Sequence, residues 1–576
     1  MSRARRERQQ KQRQQPEQAP AFTPPSSWRA RLGEAAVVAA IALVYVLLKT
    51  HAMHAAITDE NIYFYGADRV AKGVVPYRDF FFAHPPLHLY LPALLFKLFG
   101  FSITLGKTIP AGASVVSGLC LWALARKRLG RVAAVATLLL FWFALEQLKA
   151  STDMTGVNLA TAWMCGGLLA ALCGRFLLSG VLLGCAAGTG LYVAAGLCVL
   201  GAFSLFAPQQ GGRRPWARLA AGFFVSFGLW NVIFLVAAGD AFIEGVYRYH
   251  LLKPEKDLPR KPWQVIYQHA IQLWAAALAA VMLAIRARAA RLGAWSGSRE
   301  GVAALALVSA AAFLLQFSAL AEFYDFYFVV ALPALALGGG WFCGEVLVGL
   351  WDALNREAWR RAAIFGAAAL ALGGFWPLKD AAQQRAYADE VERAGQRNSY
   401  AWTDPPVLPQ LGFVVKALFW KDYRVRGESE LGVRHYLWNK KRPFSEAQPI
   451  ADYIRAHSAP EETLAGASAV APLLALLSGR SVAADLVDTN AKRFKTGLLT
   501  DRAFFEAICK TPVRFLVGTP RAYFGQEKLA SLRTVQTQFA LDRTFIDRSV
   551  LYQRDFPITL YRRVSEGGPP YCRWVD

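Results

Sequence analysis

Two adjacent acids, Asp59 and Glu60, follow the first long apolar run of the chain, near the start of TDENIYFYGADRVAKGVVPYRDFFFAHPPLHLYLPALLFKLFG (58–100). A carboxylate at the end of a helix, close to hydrocarbon, is costly to place and is therefore a candidate for proton-transfer chemistry; an acid that simply faces water there needs no function. The company favours chemistry: Tyr63, Tyr65, Gly73, Pro76-Tyr77-Arg78-Asp79, three phenylalanines at 80–82 and His84-Pro85-Pro86. These residues predict an interfacial helix and a proline-fixed turn laid across a membrane surface, able to roof a cavity. Asp153 in LKASTDMTGVN is a second candidate acid, or else Ser151, Thr152 or Asp153 serves as a helix N-cap. Glu322 and Asp325, with Tyr324, stand at another helix end, where an aromatic belt with stray acids is the plain alternative.

The elements that must position these groups are membrane helices. Of the 576 residues 55% are hydrophobic and only 18% charged, and the apolar residues gather in runs near the length that crosses about 30 Å of hydrocarbon. The runs 33–52, 106–125, 131–147, 155–174, 176–189, 190–207, 217–238, 264–285, 301–320, 325–350 and 361–378 predict about eleven spans, with 85–100 an amphipathic stretch of its own. The net charge of +23 sits in short clusters between runs, and the clusters at 126–131, 213–218, 286–291 and 356–361 all fall on the side of the basic N-terminal tail. That pattern is a topology signal, not a nucleic-acid footprint. It predicts a cytoplasmic disordered tail over 1–32, a transmembrane domain over 33–379 whose first outside loop is 54–100, and an extracytoplasmic domain over 380–576.

This last part reads as α/β: strands at 463–467, 481–484 and 513–517, a helix over 470–477 closed by Ser478-Gly479, and a late strand pair near 550–552 and 558–562. Gly466-Ala467-Ser468 lacks the spacing of a nucleotide-binding turn. Six cysteines lie in apolar runs as small hydrophobes, while Cys509 and Cys572 either form a disulfide or stand as two free thiols.

Asp59-Glu60 after span one, Gly73, Pro76-Tyr77, His84-Pro85-Pro86-Leu87, Tyr90-Leu91 and Phe99-Gly100 together resemble the GT-C superfamily of polytopic glycosyltransferases, which includes protein O-mannosyltransferases, aminoarabinose transferases of lipid A and bacterial lipopolysaccharide-core glycosyltransferase-like members. The resemblance extends to about residue 160, and later spans follow it by hydropathy and loop placement. It implies transfer of a sugar from a polyprenyl-phosphate donor to a glycan, lipid or protein acceptor in the cell envelope, with the acid at Asp59 as catalytic base and Glu60 and Asp153 supporting it. A carboxylate against an acceptor hydroxyl fits that role, and a single displacement inverts the anomeric carbon. The departing lipid phosphate needs cations, for which Arg78, His84, His250 and Lys253, with Lys256 nearby, are the candidates. Aminoarabinose transferases carry a metal-binding acid just before the lysine at the His84 position; here that residue is Ala83. A divalent magnesium, manganese or zinc ion would have to be held by His84, His250 and Asp79 instead, and no close ligand spacing selects among these metals.

The sequence therefore predicts a polytopic α-helical membrane protein of GT-C type in a bacterial plasma (inner) membrane, with a C-terminal extracytoplasmic α/β domain and no nucleic-acid partner. A secondary transporter is the first rival, yet the ionisable residues cluster at one face and no two halves show matching broken helices. The second is a non-catalytic scaffold whose C-terminal domain binds an envelope partner.

Overall fold

A computed structural model describes residues 28–50, 52–206, 214–252, 270–287, 298–320, 323–373, 444–520, 522–547, 556–565 and 568–575. Most of the expected N-terminal tail, Lys253, Lys256, Glu322 and 374–443 lie outside the described residues.

The chain runs through α1 (Trp28–Thr50), α2 (Glu60–Ala71), α3 (Leu87–Phe99), α4 (Ile103–Arg128), α5 (Arg131–Trp142), α6 (Leu145–Ala150), α7 (Val157–Leu172), α8 (Phe176–Ala187), α9 (Ala194–Phe206) and α10 (Pro215–Ala238). Three short turns follow, Asp240–Ile243, the π-helical Glu244–Arg248 and Tyr249–Leu252, then α11 (Ala270–Ala287), α12 (Arg299–Ala319), α13 (Phe328–Asn355) and α14 (Trp359–Gly373). An apolar helix stands at each of the eleven runs read from sequence. Five of them, α1, α4, α10, α12 and α13, are long and apolar enough to cross a membrane by length and composition. At 12 residues each, α5 and α8 rise only about 18 Å. The run expected over 131–147 breaks at Phe143 and restarts as α6, where Glu146, Gln147 and Lys149 are buried.

Helix α13 is the central post, buried along most of its length against α5, α11 and α12. Close approach elsewhere rests on small residues: a Cβ on Gly180 of α8 would collide with the Leu219 carbonyl of α10, and one on Gly222 with the Leu177 carbonyl. Ser226 Oγ then reaches the Val181 carbonyl at 3.0 Å, the kind of small-residue seam that replaces hydrophobic driving force inside lipid.

Beyond α14 the described chain resumes with α15 (Ala447–Ala456), β1 (Thr463–Gly466), α16 (Ala471–Ser478), β2 (Ser481–Val482), α17 (Asp501–Ile508), β3 (Val513–Gly518), β4 (Phe539–Asp547) and β5 (Phe556–Arg563). One five-stranded sheet, ordered β2-β1-β3-β5-β4, is parallel over its first three strands and antiparallel over the rest. This is the expected α/β domain, and Gly479 at φ +71 ends α16 as the Ser478-Gly479 signal predicted. The late pair differs: the partner of β5 is 539–547, while 550–552 lies outside the described residues. Cys509 and Cys572 are disulfide-bonded, with Cα atoms 4.7 Å apart, tying the C-terminal segment to the end of α17.

Candidate functional site

Helix α2 begins at Glu60, and three successive residues at its start face three ways. Asp59 is exposed, with helical dihedrals of φ −62° and ψ −16°, and its carboxylate caps no backbone group. Glu60 is fully buried and forms an ion pair at 2.7 Å with Lys107 of α4, itself 2% exposed. Asn61 Nδ2 donates to the carbonyls of Ala56, at 2.9 Å, and of Ala469 in the C-terminal domain, at 2.6 Å. Asp59 is thus presented by a helix start fixed to the membrane helices on one side and to the α/β domain on the other.

One turn further on, the Tyr63 hydroxyl pairs with His84 Nε2 at 3.0 Å, and its ring lies 4.5 Å from that of His88. Burial, then the negative charges of Asp59, Asp488 and Asp153, hold this hydroxyl well above the usual phenol range, so it keeps its proton. Three carboxylates from the first loop, the second loop and the C-terminal domain therefore converge electrostatically on one hydroxyl. Asp153 is 2% exposed. It is not an N-cap, because Gly156 occupies that position of α7 at φ +79°. Glycine is required there: a Cβ would stand 3.0 Å from both His88 Nδ1 and the Tyr192 hydroxyl. His88 Nε2 donates to the Met154 carbonyl at 3.0 Å, which leaves the lone pair on a buried Nδ1 that bonds nothing. The Tyr192 hydroxyl is likewise buried without a hydrogen-bond partner.

The peptide strip ahead of the double proline is clamped carbonyl by carbonyl. Gly245, in the π-helical turn, lets the backbone close on the Phe82 carbonyl, where a Cβ would clash. His250 Nε2 donates to the Ala83 carbonyl at 2.6 Å, and the Tyr77 hydroxyl donates to the His84 carbonyl at 2.6 Å. Tyr77 holds φ at +68°, a strained backbone for a tyrosine, kept in place by its ring among Phe82, Phe234 and Phe242. The clamp sets the His84 ring 5.8 Å from that of His250 and 5.3 Å from that of His88.

Arg78 and Asp79 instead hold each other, with Nε to Oδ1 at 2.8 Å and Nη2 to Oδ2 at 2.9 Å. Asp79 also accepts from the Val75 N–H, and the Arg78 guanidinium beside it holds its carboxyl below the usual range. Among the described residues no three His, Cys, Asp or Glu side chains gather as a metal-ligand set. The trio of His84, His250 and Asp79 does not fit a metal as arranged, since His84 Nε2, His250 Nε2 and the Asp79 carboxylate are each engaged within the protein. Lys253 and Glu322 lie outside the described residues, and Asp325 begins a short 3-10 turn, Asp325–Tyr327.

Sequence reading missed Lys49 and Lys107, both 2% exposed, with Lys49 Nζ bonded to the Leu148 carbonyl. A lysine inside an apolar run was the available signal, because ionisable groups at membrane depth need a specific partner. It missed His88, which sits four residues past His84 but is separated from it by two prolines that hide any helical spacing. It also left Asp485, Asp488 and Lys492 out of the candidate residues. In the structure Asp485, in a left-handed turn with Ala484, bonds Arg69 at 2.8 Å and the Tyr65 hydroxyl at 3.0 Å; Lys492 caps the ring and hydroxyl of Tyr324.

Residues 83–235, from the clamped strip to the end of the α10 core, match the family model described as dolichyl-phosphate-mannose-protein mannosyltransferase. The structure of ArnT from Cupriavidus metallidurans bound to undecaprenyl phosphate aligns with a TM-score of 0.55 at 19% identity, covering 93% of this chain and 99% of that one. Its apo form aligns at 0.53 and 18%, over 92% and 98%. A comparison of the sequence with curated proteins finds no match. The two structural likenesses show the fold, and together with the family-model match they bear out the GT-C resemblance carried by the loop after the first apolar run.

Proposed function

We propose that this protein is a glycosyltransferase that moves a sugar from a polyprenyl-phosphate-linked donor to an acceptor hydroxyl of an envelope glycan, lipid or protein on the extracytoplasmic face of a bacterial plasma membrane. The observation that carries the reading is the presentation of Asp59: an exposed carboxylate at a helix start whose next two residues are anchored in different domains, beside the Tyr63–His84–His250 cluster. The family-model match and the fold support the glycosyltransferase class, and the undecaprenyl phosphate bound to the ArnT relative supports the donor class.

Asp59 takes the acceptor proton as the acceptor oxygen attacks the anomeric carbon; the bond from that carbon to the phosphate oxygen breaks on the opposite face, and the configuration inverts. Asp153 and the protonated Tyr63 orient the reacting groups, and His84 and His250 stand at the donor end. Glu60 acts by fixing Asp59 through Lys107. Helix α7 leads from Gly156 past a small apolar cavity lined by Met164, Leu168, Leu200, Phe313 and Leu337.

Sidedness rests on two independent features. The basic clusters assign the N-terminus and alternate loops to the cytoplasm, and the Cys509–Cys572 bridge suits an oxidising compartment for the α/β domain. The deciding experiment measures transfer of labelled sugar from a panel of polyprenyl-phosphate sugars to envelope acceptors by wild type and Asp59→Asn. Transfer by wild type and a loss of at least about a hundredfold in the folded variant are expected. Equal rates remove Asp59 as base, and no transfer from any donor, with saturable solute uptake in its place, returns the transporter reading.

A further inference from the structure

The α/β domain meets the first loop through apolar contacts of α16 with α2 and, farther along, through a polar segment whose cations and acids are not equivalent there. Among the described cations at this face, Arg69 is paired with Asp485, Arg78 with Asp79 and Lys107 with Glu60, while Lys492 is taken up by Tyr324. Arg493 differs. It is only 8% exposed, its Nη1 donates to the Asp488 carbonyl at 3.1 Å, and its buried Nε bonds nothing. Among the described residues no carboxylate forms an ion pair with it, although the charges of Asp488 and Glu244 act on it from farther away.

Its location is equally specific. The guanidinium lies over the Phe81 ring at 4.1 Å. Phe81 meets Tyr249 edge-on at 5.4 Å, Tyr249 meets His250 edge-on at 5.4 Å, and His250 faces His84 at 5.8 Å. A guanidinium carries five N–H donors in a planar fork that matches two oxygens of a phosphate, and a cation covered without a bonded anion is strongly unfavourable. The stacked face and the carbonyl hold the guanidinium, its buried Nε has no partner, and the Phe81–Tyr249–His250 ring contacts connect it to the histidines.

We infer that Arg493, supplied by the C-terminal domain, is a donor-binding residue whose guanidinium takes the phosphate of the lipid-linked sugar. The inference rests on the transfer reaction proposed above. As the acceptor oxygen bonds the anomeric carbon and its proton passes to Asp59, the electron pair of the breaking bond stays on the phosphate oxygen, so a phosphodiester monoanion becomes a monoester dianion. Arg493 therefore gains hold on the leaving group as charge develops, and its loss lowers kcat as well as raising KM.

The test uses the full-length protein in lipid nanodiscs and measures binding of a polyprenyl phosphate and of the matching polyprenol to wild type, Arg493→Gln and Arg493→Lys. Wild type is expected to prefer the phosphate. Arg493→Gln should lose about tenfold to a hundredfold in phosphate affinity with polyprenol affinity unchanged, and Arg493→Lys should recover part of the loss, having the charge without the fork. Equal phosphate affinity in wild type and a folded Arg493→Gln overturns the inference and leaves the transferase reading standing. A wild type that binds the phosphate no better than the alcohol overturns both. Should Arg493→Gln not fold, Arg493→Lys decides: a phosphate affinity unchanged from wild type overturns the inference there too.

Discussion

Replacing either member of the Glu60–Lys107 pair with methionine should destabilise the protein far more than replacing both. The charges meet at 2.7 Å with exposures of 0% and 2%, so neither has water to turn to when its partner is removed. At an effective dielectric constant near 20 the attraction at that distance is about 6 kcal/mol, set against a desolvation penalty of several kcal/mol for each ion. The pair as a whole therefore contributes little over an apolar pair, whereas one stranded ion costs about 3–5 kcal/mol, two to nearly four powers of ten in the folding equilibrium. Glu60→Met and Lys107→Met are each expected to fall by that amount and Glu60→Met/Lys107→Met to recover most of it, a coupling of about 3 kcal/mol or more. Reversible unfolding of the purified protein in mixed micelles of rising SDS fraction gives all corners of the cycle. The double variant keeps Asp59 and should still transfer sugar. Additive losses, with coupling below about 0.5 kcal/mol, would refute the claim that a buried ion pair anchors the start of α2.

Asp79 gives a pH-dependent prediction. Its folded pKa is depressed by Arg78, so the stability it lends to the 75–79 turn is full above the ordinary aspartate value of about 3.9 and is lost as pH falls through the lower folded value. Asp79→Asn should raise proteolysis of this turn at neutral pH, modestly because the pair is partly exposed, and the difference from wild type should shrink once pH falls below the lowered folded value; equal cleavage at pH 7 would contradict it. Reduction of the Cys509–Cys572 bridge, which closes a separation of 63 residues, should cost the α/β domain about 4 kcal/mol on the chain-entropy account, read as a lowered melting transition of the intact protein with and without reductant.

Much of the architecture was open to reading because hydrocarbon and water impose patterns on the chain. Eleven apolar runs became eleven helices, and Ser478-Gly479 ended a helix where a left-handed glycine does so at little cost. Lengths were read less well: 131–147 looks like one span by hydropathy, yet Glu146, Gln147 and Lys149 turn inward as a buried polar loop, with Gln147 on Ser114 and Asn158. Asp59, Asp153, His84 and His250 could be singled out because their types are unusual beside apolar runs. The partners that give them meaning could not, since Asp488 and Arg493 sit in a charge-rich stretch that reads like any water-facing edge. Nothing local distinguishes a solvated charge from one that docks on a ring hundreds of residues earlier in the chain.

That distance bears on how the protein is made. Helix α2, which presents Asp59, carries Tyr65 and Arg69, whose partner Asp485 lies 420 and 416 residues downstream. During synthesis the N-terminal helices exist long before that partner has been translated, so helix α2 spends most of biogenesis undocked. The α/β domain must fold before Asp485 can seat and Arg493 can lie on Phe81. For the transfer reaction proposed above, activity would be deferred until this docking, and a chain truncated before the α/β domain that inserts normally is expected to engage a lipid donor poorly.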